Sequence, residues 1–447
     1  MEAMLIINDY LVLPPVLPAN FSKLGRDQQR DNLIQYFVPN AVFHQGTRLL
    51  NLVARWYDLF FVDAASLSDR SDYVDIRASL TSVTGMQADL FYWIASAFVS
   101  HWMKSFDDII KSGVPRLNPR EWFKDLTITP EEYGLVLKEL AATTEELKEE
   151  VGKRPDWEPY YFLPIQRKPL LKIGDLVFCL SRHFLAAKIS SGLYHLLLTG
   201  LPTAPERDKF LSFFGCPFEC YVNRLLGRIF PATELARRHY PNPKGQSTGR
   251  ELIDAVLDYG NALVLIEAKA TLFSLAALVS GEAAEIERKL EDIVYDASKQ
   301  LDTAIKAIKG GELKYLGVSP ERIKMYFPLV VTLQFLPSEP LLYKKLRDEI
   351  AERGYLRGQD IAPLQVAYIE DLERLEIAMT SGRSLSELLW EKVSNERFRI
   401  MTFGNFLIER APEIFNNQNQ YLLRQFDAVT QEMVAFFKSR EKLNSDG

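Results

Sequence analysis

Cysteine is scarce in this chain. The three present, Cys179, Cys216 and Cys220, form no CxxC pair and no Cys/His ladder at zinc spacing. That excludes a disulfide framework and a structural zinc site, and it fits a reducing cytoplasm. An excess of positive charge is also missing. The formal net charge is −6 over 447 residues, so nothing global draws the chain to nucleic acid or to an acidic membrane surface, and a polyanion has to be met by a local patch. The sequence does not open with a basic region, an apolar core and a small-residue cleavage site, so no signal peptide is expected. The most membrane-like run, Met86 to Lys104, carries Asp89 and His101 and reads as a buried or amphipathic helix, not a span. The pattern GxxxxGK[ST] is absent, which excludes a nucleotide-driven motor. His44, His101, His183, His195 and His239 are scattered and read as structural, and there is no internal repeat or low-complexity tract.

What is there is ordinary globular material, 47% apolar and 25% charged, in a chain long enough for two or three domains. Residues 1–155 read as a helical domain after an extended start, with apolar residues at three- and four-residue spacing over 47–61, 80–106 and 129–153. Residues 156–204 read as a module of hairpin, helix and linker: the hairpin turns at Gly174-Asp175, and the linker is LPTAPERD, from Leu201. Over 205–380 the order is a helix opening near Pro217, a polar loop PNPKGQSTGR, strands ELIDAVLD and ALVLIEAKA, a long helix over 282–309, a strand, a helix and a strand. This order predicts an α/β (α+β) fold, a mixed sheet flanked by helices. Residues 381–447 read as a helical C-terminal extension.

The stretch IDAVLDYGNALVLIEAKA carries the chemistry. Gly260-Asn261 is a two-residue type II′ turn pair, and counting outward from Tyr259 opposite Ala262 sets Asp254 directly opposite Glu267. Directly opposed residues share a face, and side chains alternate, so Lys269, Leu263 and Leu265 lie on that face too. Two carboxylates opposed in a low-dielectric setting need a positive group, and Mg²⁺, with Mn²⁺ as a substitute, suits oxygen donors at this spacing. The backbone carbonyl of Ala268 is a further oxygen. Lys269 would orient or deprotonate a water and offset charge developing on a phosphate, which is the chemistry of phosphodiester hydrolysis. ExK occurs four times in the chain, but only the copy at Glu267 ends an apolar strand with an acid on the partner strand.

These residues resemble the PD-(D/E)XK nuclease superfamily, whose pattern is an acid on one core strand and (D/E)xK on the next. Here it reads Ile253-Asp254, twelve residues, then Glu267-Ala268-Lys269, with Ile in place of Pro. The resemblance covers about residues 205–380 and implies a restriction-endonuclease-like fold and a divalent-metal-dependent nuclease, with DNA as the favoured substrate and a bacterial defence or restriction-type role. It also implies an additional acid from the preceding helix, Glu219, and a glutamine on the long helix, Gln300. Helix-dipole complementarity alone would also place an acid such as Glu219 just after Pro217. The RecB-like branch has a tyrosine four residues after that glutamine, where this chain has Ala304.

Between Tyr221 and Arg250 six basic residues face one acid. Arg224, Arg228, Lys244, Gln246, Ser247, Thr248 and Arg250 are the nucleic-acid-binding candidates, the last five on the loop before the acid strand. The helical termini are candidates for self-association or for docking a partner subunit, with no membrane partner expected. The rival reading is a non-catalytic assembly protein that keeps the nuclease fold.

Overall fold

The computed structural model describes residues 23–26, 28–29, 49–103, 116–153, 163–229, 238–272, 283–334, 340–379, 383–415 and 417–442. The extended start expected before residue 23 lies outside the described residues. Gly215–Asn419 make up the body of one compact unit, and Gly46–Phe214 with Gln420–Gly447 form the other.

In the second unit, helix Ala88–Trp102 is buried on nearly every face. Among the described residues no helix is long and apolar enough to cross a membrane. The expected hairpin turns at Gly174 and pairs β3 (Leu170–Ile173) with β4 (Leu176–Cys179). It does not stand alone, because β1 (Arg116–Leu117) and β2 (Ala141–Thr143) complete a four-stranded sheet in the order β1-β4-β3-β2. The helix expected over 129–153 is therefore interrupted. Ala141–Thr143 pair in parallel with Leu170–Lys172, and Thr143 then caps a new helix by accepting from Glu146 N while the Glu146 carboxylate accepts from Thr143 N. The strand pairing overrides the apolar period, and the capping box marks where helix resumes.

The other unit holds a five-stranded mixed sheet, β5 (Arg238–Pro241), β6 (Ala255–Asp258), β7 (Ala262–Lys269), β8 (Met325–Thr332) and β9 (Gln365–Tyr368), in sequence order. The first three strands run antiparallel, and β8 and β9 then add in parallel. A parallel pair needs a crossover, supplied here by the continuous run Ala283–Leu290, the π-turns Glu291–Tyr295 and Asp296–Lys309. The fold is α+β, a mixed sheet flanked by helices, as the order of elements predicts. Labelled helices are α1 (Ala204–Ile229), α2 (Asp296–Lys309) and α3 (Pro340–Glu352).

The linker expected at LPTAPERD is instead the start of α1. Thr203 accepts from Glu206 N and the Glu206 carboxylate accepts from Thr203 N, so T-A-P-E is a cap with proline in the first turn. Pro217 then lies inside a 26-residue helix. Glu219 is far from that helix's N-terminus, which removes the dipole as the reason for an acid there.

Val256, Leu263, Leu265, Tyr326, Val330 and Val366 line one sheet face and pack with Val294, Leu301 and Ile305 of the crossover and Leu346 and Ile350 of α3. Alternation along β7 carries this face on to Glu267 and Lys269, where the strand's carboxyl end runs past the apolar layer. The register is as counted from the turn: Asp258 pairs with Leu263 and Ala255 with Ile266, so the ladder ends one step short of Asp254 and Glu267 and brings the two acids next to each other. Tyr259 N donates to Ala262 O at 2.9 Å, and Gly260 takes φ +87°. Among the described residues, no atom beyond the adjoining turn residues lies within 4 Å of where a Gly260 Cβ would stand, so an alanine there tests the backbone alone. Gly260→Ala is expected to lower stability by about 1–2 kcal/mol, read as a fall in the thermal midpoint; an unchanged midpoint would show that the turn does not set the hairpin.

Candidate active site

Asp254 stands one residue before β6, where the antiparallel ladder gives way to the loop from Pro241. Strand pairing was expected from Glu251, but Glu251 makes only an isolated bridge to Lys244, and regular pairing starts at Ala255. Asp254 Oδ2 accepts from Ala268 N at 2.6 Å, which ties the acid to the neighbouring strand. The N–H and C=O of one strand residue leave by the same edge, so the Ala268 carbonyl also faces this side. Lys269 Nζ donates to Glu267 Oε1 at 2.7 Å and to Gln300 Oε1 at 2.6 Å. The structure thus brings Gln300, on α2, onto the lysine of the motif. The Lys269 and Glu267 side chains are 17% and 6% exposed, which leaves the ammonium an open side while the carboxylate is covered.

Glu219 of α1 and Glu251 of the loop complete the cluster. One carboxylate oxygen each from Glu219, Glu251 and Asp254 lie within 4.8 Å of one another. Burial, and then the charge of Glu267, raises the Asp254 carboxyl well above the usual carboxylate range, with Glu219 adding to the rise. Burial raises Glu267 as well, against the pull of Lys269. Asp258, at the other end of β6 and more deeply buried than the half-buried Asp254, differs in its partners: Gly260 N donates to it at 2.8 Å and Arg322 forms an ion pair with it. Asp258 anchors the turn, whereas Asp254 faces other acids.

The nucleic-acid candidates divide. Arg228 pairs with Glu376, and Arg224 lies over the Tyr221 ring. Ser247 is held by Glu312 through both its N–H and its hydroxyl, and Tyr315 donates to Lys244 O, so the loop is pinned to the connection after α2. Lys244, Gln246, Thr248 and Arg250 lie on this pinned loop; Gln246 N donates to Glu312 O and Thr248 Oγ1 accepts from Arg250 N.

Sequence reading missed Glu251, Asn242 and Asn223. Alternation along a strand would set Glu251 and Asp254 on opposite faces. Glu251 reaches the cluster because residues 251–254 are not regular strand. The signal for Asn242 is the tripeptide Pro-Asn-Pro, which punctuates a turn at a residue type that tolerates positive φ. Asn242 takes φ +48°.

No family model matches the chain, and no curated protein matches it. Among solved structures, the crystal structure of the small subunit of a heterodimeric restriction endonuclease is similar over 45% of this chain and 89% of its own, at 14% identity and a TM-score of 0.24. The chemistry of the site is therefore read from its own residues.

Proposed function

We propose that this chain is a divalent-cation-dependent nuclease that hydrolyses phosphodiester bonds, with DNA as the substrate favoured by the resemblance to PD-(D/E)XK enzymes. The observation that carries the reading is the gathering of acids at this strand end: Asp254 is hydrogen-bonded to Ala268 N, between Glu267 and Lys269, and clusters with Glu219 and Glu251. An all-oxygen set of carboxylates, drawn together by the fold against their own repulsion, fits a hard cation such as Mg²⁺ or Mn²⁺. Asp254, Glu219 and Glu251 would hold it, with Glu267 and the Ala268 carbonyl completing the donors. When bound, such a cation supplies Lewis acidity toward a phosphate oxygen and the attacking water.

The chain's own groups do the rest. Gln300 and Glu267 hold the Lys269 ammonium at the open end of the strand, where it orients a water and offsets negative charge gathering on the phosphate. Asp254, by accepting from Ala268 N, fixes the strand end that presents the lysine. Lys244, Gln246, Thr248 and Arg250 contact the phosphate backbone from the pinned loop.

The test is incubation of supercoiled plasmid, single-stranded DNA and RNA with the protein in Mg²⁺, in Mn²⁺ and in EDTA. Cleavage that requires the cation is expected, with DNA preferred. Intact substrates under every condition, together with no cation binding, would favour the non-catalytic assembly reading.

A further inference from the structure

We propose that Asn242 is a positioning residue of the cation site, oriented by a hydrogen-bond chain from His239 through Asn223. The proposal rests on the cation-dependent reading above and adds residues that the motif does not contain. Asn242 N donates to Asp254 O at 2.9 Å, so the residue is fastened to the principal acid by its backbone. Its side-chain Nδ2 donates to Glu219 Oε1 and reaches Glu251 Oε2 at 3.5 Å. One amide therefore spans the two outer acids of the cluster.

The chain behind it fixes which end of that amide meets the acids. Asn223 Nδ2 donates to Asn242 Oδ1 at 3.2 Å and to Asp254 O at 3.2 Å, and Asn223 Oδ1 meets His239 Nε2 at 2.9 Å. The Asp254 carbonyl can only accept, so it takes Asn223 Nδ2 and turns Asn223 Oδ1 to His239, whose Nε2 then carries the proton, and Asn242 has only its NH₂ left to present forward. The reversed orientation would set an amide oxygen against a carboxylate. Burial pushes the His239 imidazole down to about 4, so the ring is neutral at physiological pH and acts as a one-proton donor.

The residue type suits the task. An amide holds two carboxylates by hydrogen bonds without neutralising them, so their charge is kept for a cation; a lysine there would satisfy the acids and repel one. The positive φ of Asn242 directs its side chain back into the cluster, and asparagine is one of the few non-glycine residues that tolerate it. Groups that orient metal ligands typically change affinity about 10- to 100-fold when removed.

The experiment is calorimetric titration of wild type, Asn242→Gly, Asn223→Ala and Asp254→Ala with MnCl₂ in the absence of substrate, with thermal midpoints measured in EDTA. Glycine keeps the positive φ and deletes only the side chain. Asn242→Gly and Asn223→Ala are expected to bind Mn²⁺ about 10- to 100-fold more weakly with EDTA midpoints near wild type, and cleavage is expected to recover at saturating Mn²⁺. If Asn242→Gly lowers the EDTA midpoint, Asn223→Ala decides, since it leaves the Asn242 backbone untouched. Wild-type affinity in the deciding variant, with binding lost in Asp254→Ala, would overturn the positioning role and leave the nuclease reading standing. A wild type that binds no Mn²⁺ would overturn both.

Discussion

Asp254→Ala is expected to abolish cation binding and to lower the cleavage rate by at least about 10³-fold, whereas Lys269→Ala is expected to lower the rate by about 10²–10³-fold with cation binding retained. The two differ because the residues differ in what they touch. Asp254 joins Glu219 and Glu251 in the oxygen cluster and also holds Ala268 N, so its loss removes a donor from the centre of the site. Lys269 is a donor beside that centre, tied to Glu267 and Gln300, and its role is charge on the phosphate side. The split is measurable as cation affinity by calorimetry against the rate at saturating cation. Equal loss of affinity in both variants would place the lysine in the holding of the cation and contradict the division of roles. Removing Lys269 also leaves Glu267 buried without its ion pair, so this variant is expected to be less stable in EDTA than in Mg²⁺.

Asp254→Asn is expected to make the protein more stable, by about 1–3 kcal/mol in EDTA at pH 7.5, while removing activity. A unit of this size converts each kcal/mol into roughly 2–4 °C of thermal midpoint. Asp254 is half-buried beside Glu267, and its carboxyl is raised in the folded protein. A raised folded-state value means the folded chain holds its proton where the unfolded chain has already lost it, so stability falls as pH rises from the ordinary carboxylate range through the raised one. Asparagine keeps an acceptor for Ala268 N without the charge. Its advantage is therefore expected at pH 7.5 and largely absent at pH 4. Saturating Mg²⁺ should narrow the gap by stabilising wild type alone, by about 2.7 kcal/mol at a hundredfold excess over Kd. A lower midpoint for Asp254→Asn at pH 7.5 in EDTA would show that Asp254 has a stabilising partner and is not held against its own charge.

The hairpin was legible because its determinants are local. A Gly-Asn pair between apolar runs sets the turn, the turn sets the register, and the period of two sets the face, so Asp254, Glu267 and Lys269 converge by counting. Gln300 followed from the family pattern, and a helix crossing the sheet face that ends at Lys269 explains its contact. Glu219 was legible as a residue, but for the wrong local reason, since the helix around it begins at Ala204 under a Thr203/Glu206 cap. Glu251 was not legible, and Pro-Asn-Pro marks a turn at Asn242 without saying what its side chain meets. Both reach the cluster through an irregular loop whose path depends on a positive φ and on side-chain hydrogen bonds from α1, and no period in the sequence encodes that. The same limit applied in the second unit, where β2 forms by pairing with a strand about 30 residues away and interrupts a pattern that reads locally as one helix.

Whether these acids hold a cation is read by anomalous diffraction from crystals of the protein soaked in MnCl₂. A peak within coordination distance of Asp254, flanked by Glu219 and Glu251 and absent in Asp254→Ala, is the expected result. A wild-type map at saturating Mn²⁺ with no peak at these carboxylates would contradict it.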